Sequence, residues 1–239
     1  MQLKVFANYI LAFLTILFLG LVQTEKAACQ DAEWVTQTWE TGNFDEAVLE
    51  GAFKIFLVQG NTNSVMARAA DSGIFEYLNI RNERGILNIK VTRKPFDLSR
   101  IEIYITFKTL RKIEADGGTT IETDGYLNLD DMFIRLKGGS KMKFFAKVRD
   151  LRLVNEGGVL IELSGVAEKL DVRLAGAGNI NAAELRADDV IFTIEGVGTG
   201  IVHAIRTLNA EIKGAGKLRY RGNPRVTKTI EGLGSVQGQ

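Results

Sequence analysis

The chain has 239 residues, 46% of them hydrophobic, which is ample for a buried core, and only two prolines, Pro95 and Pro224, interrupt it. Beyond residue 29 it carries 28 basic and 28 acidic side chains, so the basic excess of a nucleic-acid-binding protein is missing and that class drops out. A lone cysteine, Cys29, rules out an internal disulfide, and a lone histidine, His203, rules out histidine pairs and multi-histidine metal centres.

The first 29 residues read as a secretory signal. Lys4 precedes an apolar run of about 14 residues from Tyr9 to Val22, followed by a short polar stretch and the small residues Ala27, Ala28 and Cys29. Such a run is short for a membrane span. Cutting before Gln30 puts Ala27 and Cys29 at −3 and −1. The alternative is a lipoprotein whose first residue is a lipid-modified Cys29, although Lys26 stands where the lipid-attachment motif expects an apolar residue. Residues 30–239 then form one solenoid domain, less regular over 30–110 and regular over 111–236.

Between Gln30 and Leu110 the strands are legible but the repeat is not. Residues 53–58 precede the turn Gln59-Gly60-Asn61, residues 86–91 follow the turn Glu83-Arg84-Gly85, and Ile101 to Phe107 alternates apolar with polar. The 66 residues from Gly51 to Gly117 leave room for about three wider coils. Residues 67–74 are the best candidate for a turn of helix, ended by Asp71-Ser72-Gly73. No segment beyond residue 29 has sustained helical periodicity, so the fold is essentially all β.

From Gly117 onward glycines recur in pairs led by Gly117, Gly138, Gly157, Gly176, Gly196, Gly214 and Gly232, at intervals of 21, 19, 19, 20, 18 and 18 residues. A period near twenty means a solenoid, in which each coil buries its apolar row against the next. Apolar residues alternate before each leading glycine, as in Leu170, Val172, Leu174 and Val190, Phe192, Ile194 and Leu208, Ala210, Ile212. Asp171, Arg173, Thr193, Glu195, Asn209, Glu211 and Lys213 therefore face water. Four residues after the leading glycine a second column appears: Ile121, Met142, Ile161, Ile180, Leu218 and Val236. In the Gly196 unit that place falls to Gly200, and counting one inserted residue, a bulge at Thr199 or Gly200, brings Ile201 into the column. Gly117, Gly138, Gly157, Gly176, Gly178, Gly196, Gly198, Gly214, Gly216, Gly232 and Gly234 are expected at the corners between the two walls. There the chain needs either positive φ or close approach to the coil above.

The run Gly51-Ala52-Phe53-Lys54-Ile55-Phe56-Leu57-Val58-Gln59-Gly60, the glycine ladder, and the ending Gly214-Ala215-Gly216-Lys217-Leu218-Arg219-Tyr220-Arg221-Gly222-Asn223-Pro224 with Ile230-Glu231-Gly232-Leu233-Gly234-Ser235-Val236 resemble the head GIN domain family, described as autotransporter adhesins of Bacteroidetes-type envelopes. The resemblance covers about residues 35–237. It implies a right-handed, single-stranded parallel β-helix exported beyond the inner membrane, without an established activity. Gly117-Gly118, Gly138-Gly139 and Gly157-Gly158 depart from the Gly-x-Gly form, so the early corners are expected to be shaped differently.

Candidate chemistry is sparse. With the insertion counted, His203 falls in register with Phe144, Leu163, Ala182 and Tyr220, which reads as a packed or half-buried structural imidazole. Asp130-Asp131 and Asp188-Asp189 lie before first-wall strands three coils apart, roughly 14 Å at the strand spacing, too far to share a calcium ion, so they read as solvated carboxylates. Gly214-Ala215-Gly216-Lys217 lacks the remaining residues of a phosphate loop, since Glu211 and Leu218 stand where glycine and serine or threonine are needed. In Phe144-Phe145, the second ring is expected either outward as a platform for a sugar or beneath a loop packed over it, two placements with the same pattern. No catalytic, cofactor-binding or metal-binding set emerges. The reading is a non-catalytic exported adhesin or ligand-binding module, periplasmic, outer-membrane-associated or on the cell surface, whose polar walls meet an envelope glycan or protein. Membrane contact would come only through lipid on Cys29, and open coil ends would allow homo-oligomers. The alternatives are a polysaccharide lyase or hydrolase with two carboxylates across a cleft, and a self-assembling envelope protein.

Overall fold

The computed structural model describes residues 34–91 and 101–239, so the segment read as a secretory signal and Cys29 lie outside the described residues. Trp34–Gln239 form one compact unit, an all-β solenoid of about seven turns. Its strands are β1 (Val35–Glu40), β2 (Glu46–Glu50), β3 (Lys54–Gln59), β4 (Ser64–Ala69), β5 (Leu78–Glu83), β6 (Ile86–Val91), β7 (Ile101–Phe107), β8 (Lys112–Asp116), β9 (Thr120–Thr123), β10 (Leu127–Lys137), β11 (Gly139–Asn155), β12 (Gly158–Leu174), β13 (Ala177–Ile194), β14 (Val197–Ile212), β15 (Ala215–Arg221), β16 (Arg225–Ile230) and β17 (Leu233–Gly238).

From β8 onward every coil lies parallel to the next. Leu153 pairs with Val172, Val172 with Phe192 and Phe192 with Ala210 on the first wall. Met142 pairs with Ile161 and Ile161 with Ile180 on the second. All are buried, and they belong to one apolar cluster running from Phe44 to Val236. Alternation forces this arrangement, because a strand with every second residue apolar has one face to bury and only the neighbouring coils to bury it against.

The coil has a third, short wall that the two-column reading did not anticipate. Met142, Phe144, Ala146 and Val148 alternate without a break, but β11 bends between them. Ala146 and Val148 form a wall of their own, with Leu127 and Leu129 on one side and Gly165 and Ala167 on the other. The bend does not disturb the period of two, so the pattern hides it. The corner leading back to the first wall is marked by two consecutive outward residues: Asp130-Asp131, Arg149-Asp150, Glu168-Lys169, Asp188-Asp189 and Arg206-Thr207.

Residues 52–116 do not make three wider coils. Gly51 lies directly beside Gly117, whose Cβ would collide with the Gly51 carbonyl, so the intervening chain advances the stack by one coil. The remainder builds the end of the solenoid. β6 and β7 pair with the outer edges of β2 and β3, while β8 and β9 pair with their inner edges. The chain thus lays down its second layer first, returns through the outermost layer, and crosses back over. β4 pairs antiparallel with β7 and β1 with β4, and β5 covers β6 through the hairpin at Arg84 (φ 55) and Gly85 (φ 83). This cap protects a sheet edge that would otherwise be open. The helical turn is a 3₁₀ turn at Ser72–Tyr77, with Asp71 accepting from Gly73 N–H at 2.8 Å. Residues 67–69 lie in β4 instead, and Asp71 begins the turn rather than ending it.

The insertion expected at Thr199 or Gly200 is absent. Gly200 itself pairs with Ile180 and Leu218, and Ile201 faces outward between Asn181 and Arg219. The irregularities fall instead between Asn181 and Arg186 in β13 and between Ala204 and Thr207 in β14. Val202 therefore takes the column of Ala182 and Tyr220, and His203 is half-buried one position beyond that column, between Arg186 and Arg221.

Candidate functional site

The crossing from β7 to β8 leaves the third wall incomplete below β10, and a cleft of about 360 Å³ opens there. Its floor is Leu110 and Leu129, both buried. Its rim is polar. Gln59 spans it: the side-chain amide donates to Asn128 O at 2.8 Å while Asn128 N–H donates to Gln59 Oε1 at 2.6 Å. Arg111 binds Asp45 at 2.6 Å and Glu46 at 2.5 Å, and Arg149 binds Asp131 at 2.7 Å. Hydrogen bonding to Asp45, above all, raises the Arg111 pKa further, so the guanidinium is a fixed charge. Asp130 and Thr109 are exposed on the rim, and among the described residues Asp130 finds neither an ion-pair nor a hydrogen-bond partner.

An aromatic pair stands beside the cleft. Tyr126 follows the turn at Gly125 (φ 87) and lies two residues before Asn128, about 7 Å along the strand. Ala146 pairs with Leu127, which sets Phe145 next to Tyr126 on the following coil. The ring centroids are 4.6 Å apart at 67°, and the side chains are 47% and 44% exposed. The Phe145 N–H donates to Thr123 Oγ1 at 3.1 Å. Phe144 is buried, so the two neighbouring phenylalanines divide between core and surface. An apolar floor, a rim of donors and acceptors, and exposed rings to one side are the components of a site for a hydroxyl-rich ligand.

The glycines meet at the corner between first and second walls. A Cβ on Gly157, Gly176, Gly196, Gly214 or Gly232 would overlap the carbonyl oxygen of the glycine one coil earlier. A model of the family described as "Putative auto-transporter adhesin, head GIN domain" matches residues 43–224, a span that takes in this ladder as far as Gly214 and the cleft. The chain belongs to the head GIN domain family. A crystal structure of a putative adhesin from Bacteroides fragilis NCTC 9343 superposes with a TM-score of 0.78 at 21% identity, covering 87% of this chain and 97% of that one. A putative adhesin from Parabacteroides distasonis ATCC 8503 gives 0.67 at 20% identity, covering 87% and 98%. A protein from the same organism titled a putative lipid binding protein gives 0.60 at 22% identity, covering 86% and 96%. At these identities the likeness is one of fold. Among curated proteins none matches.

In this head GIN domain the second glycine of each late pair is also stacked: Gly178 pairs with Gly198, Gly198 with Gly216 and Gly216 with Gly234. A Cβ on Gly198 would lie 2.7 Å from Leu174 Cδ2, and one on Gly216 2.8 Å from Ile194 Cδ1, so large first-wall side chains occupy the space. The early coils fill that inner position with Ser140 and Val159 instead. Thr119 joins them through a 3.1 Å hydroxyl contact with Ser140, which is the physical difference between the Gly-Gly and Gly-x-Gly corners. Gly117 (φ 124) and Gly138 (φ 78) need positive φ as well as close approach.

Asp130-Asp131 and Asp188-Asp189 occupy the same corner on different coils. Arg206 holds Asp189 at 2.7 Å and Asp188 at 3.7 Å, and Thr207 donates to Asp189 at 2.7 Å. Among the described residues no three His, Cys, Asp or Glu side chains gather as a metal-ligating group. Lys217 points outward between Thr199 and Ser235, and the Gly214–Gly216 segment is a corner. The cleft itself left little trace in the sequence, since Gln59, Thr109 and Asn128 are 69 residues apart at the extremes and only the crossover brings them together. The local signals are Phe145 and the Asp130-Asp131 pair.

Proposed function

We propose that the protein is an exported, non-catalytic recognition module of the cell envelope and that the cleft beside Tyr126 and Phe145 holds a segment of a hydroxyl-rich glycan. The observation that carries the reading is the junction of the 360 Å³ cleft with two exposed rings at one end of the β10 third-wall segment. Rings pack the C–H face of a sugar, while Asp130, Thr109 and the Asn128 side chain accept or donate to its hydroxyls. The family's adhesin description supports recognition as the role. Glycoside hydrolysis asks for one carboxylate kept protonated opposite another. In the cleft Asp45 and Asp131 are instead each held by an arginine, an arrangement that fixes charge and suits binding. Export follows from the apolar run after Lys4 and the small residues ending at Cys29.

A glycan array probed with folded protein tests the reading. Binding to at least one neutral glycan is expected, weakened tenfold or more by Phe145→Ala and by Asp130→Asn. An array without signal, or a signal indifferent to both substitutions, would overturn it. Fractionation and intact mass of the native protein decide between removal and lipidation of Cys29.

A further inference from the structure

The first wall carries a second, chemically different groove. Its outward residues form a grid in which Arg135, Val154 and Arg173 are neighbours in one row, on β10, β11 and β12, and Phe133 and Arg152 are neighbours in the next. Val154 faces outward yet is only 8% exposed, set between Arg135 and Arg173 on the neighbouring strands. The result is a groove of about 240 Å³ with Val154 as its apolar floor, three guanidiniums around it, Phe133 at one end, and Glu156 and Ala175 at the other. The Arg135 and Arg152 guanidiniums lie 5.5 and 5.9 Å from the Phe133 ring centroid.

The three arginines are not equally engaged. Arg173 is bound to Glu195 through two nitrogens, at 3.0 and 2.7 Å. Arg152 stands 3.9 Å from Asp171. Arg135 stands 3.7 Å from Glu156 and 4.0 Å from Glu114, and its buried Nε has no hydrogen-bond partner among the described residues. Distances of 3.7–4.0 Å exceed hydrogen-bond length, so charge alone holds these two forks. Buried donors in native proteins are almost always satisfied. Arg135 and Arg152 are thus free to turn their donors onto an oxygen entering the groove, with Arg173 anchored behind them.

We propose that this groove binds the acidic group of a glycan, a uronate carboxylate or a sugar sulfate. The planar guanidinium fork matches such an oxyanion bidentately. Phe133 and Val154 receive the apolar face of the same sugar, and Glu156 accepts from its hydroxyls. The site lies on a different wall from the Tyr126–Phe145 cleft and does not depend on what that cleft binds.

The test is calorimetric titration of the whole protein with galacturonate, glucuronate and sulfated-galactose tetrasaccharides, their methyl-esterified or desulfated counterparts, and inorganic sulfate. At least one acidic tetrasaccharide binds, its neutralised counterpart binds at least tenfold more weakly, and rising salt weakens the acidic form. Arg135→Gln and Arg152→Gln each reduce affinity tenfold or more, while Lys217→Gln, which removes an outward cation on the second wall, leaves it unchanged. Arg152→Lys keeps the charge but loses the fork, and it binds at an intermediate level. A thermal melt confirms that each variant is folded. Equal binding of acidic and neutral forms, no binding of any acidic probe, or inorganic sulfate binding as tightly as the tetrasaccharides would each overturn the proposal.

Discussion

Gly200 lies against the end of the Phe192 ring. A Cβ at position 200 would stand 2.6 Å from Phe192 Cζ and 2.9 Å from Leu218 Cδ1, so the aromatic ring of the first wall occupies the volume that the second-wall column leaves vacant on this coil. Ile180 below and Leu218 above keep the column apolar. The glycine is a packing partner of Phe192 and the strand runs straight through it. Gly200→Ala overpacks the core and is expected to cost about 1–3 kcal/mol in urea denaturation. Adding Phe192→Leu frees room and should recover part of that loss, a non-additivity that a double-mutant cycle measures. Strict additivity would mean that the two residues do not share this space.

Adjacent glycines of one corner should respond oppositely. A Cβ on Gly157 would overlap the carbonyl of Gly138, whereas one on Gly158 meets nothing within 4 Å. Gly157→Ala separates two stacked coils and is expected to cost about 3 kcal/mol or more, or to prevent folding. Gly158→Ala restricts the unfolded chain and should stabilise by about 0.4–1 kcal/mol. Equal melting temperatures for the two variants would show that coil contact is not what selects glycine here.

Stability is expected to fall in alkali. The Tyr104 hydroxyl donates to Glu102 at 3.2 Å, and Glu102 also holds Arg68 at 2.6 Å. Burial first, and then the Glu102 charge, raise the Tyr104 pKa above its ordinary value near 10. The Lys112 ammonium is raised too, chiefly by its hydrogen bond to Glu114. Both groups hold their protons more tightly folded than unfolded. Their contribution is therefore complete below about pH 10 and is lost as pH climbs through the folded pKa values. Urea midpoints should be level from pH 7 to about 9.5 and then decline. Tyr104→Phe should decline less, and an identical decline would remove Tyr104 from the account.

Lys228 blunts an exposed sheet edge. It stands in the apolar column Val172, Phe192, Ala210, at a position facing the core on every earlier coil. Among the described residues β16 pairs only with β14 and β17 only with β15, and Leu233 is 83% exposed. An inward charge on an edge strand disfavours docking of another chain. Lys228→Val should therefore associate with rising concentration in light scattering, to a greater degree than the unaltered protein. A variant no more associated than the parent would show that the charge is not what limits stacking.

The sequence by itself determined the repeat. Apolar side chains at every second position and glycines at every coil corner follow from two local rules, strand alternation and the exclusion of a Cβ where backbones touch. Gly157 or Leu170 can be placed from their neighbours alone for that reason. Tertiary structure decided whatever depends on which coil lies beside which. The third wall escaped notice because Phe144 and Val148 keep one alternation through the bend. Residues 52–116 advance the stack by a single coil because β6 and β7 turn back to cap it, a choice of partner that no local pattern encodes. Gly200 keeps the register because Phe192, from the opposite wall, fills its space, and His203 faces outward as a consequence. The cleft under Gln59 and the groove over Val154 exist only where crossover and stacking bring distant side chains together.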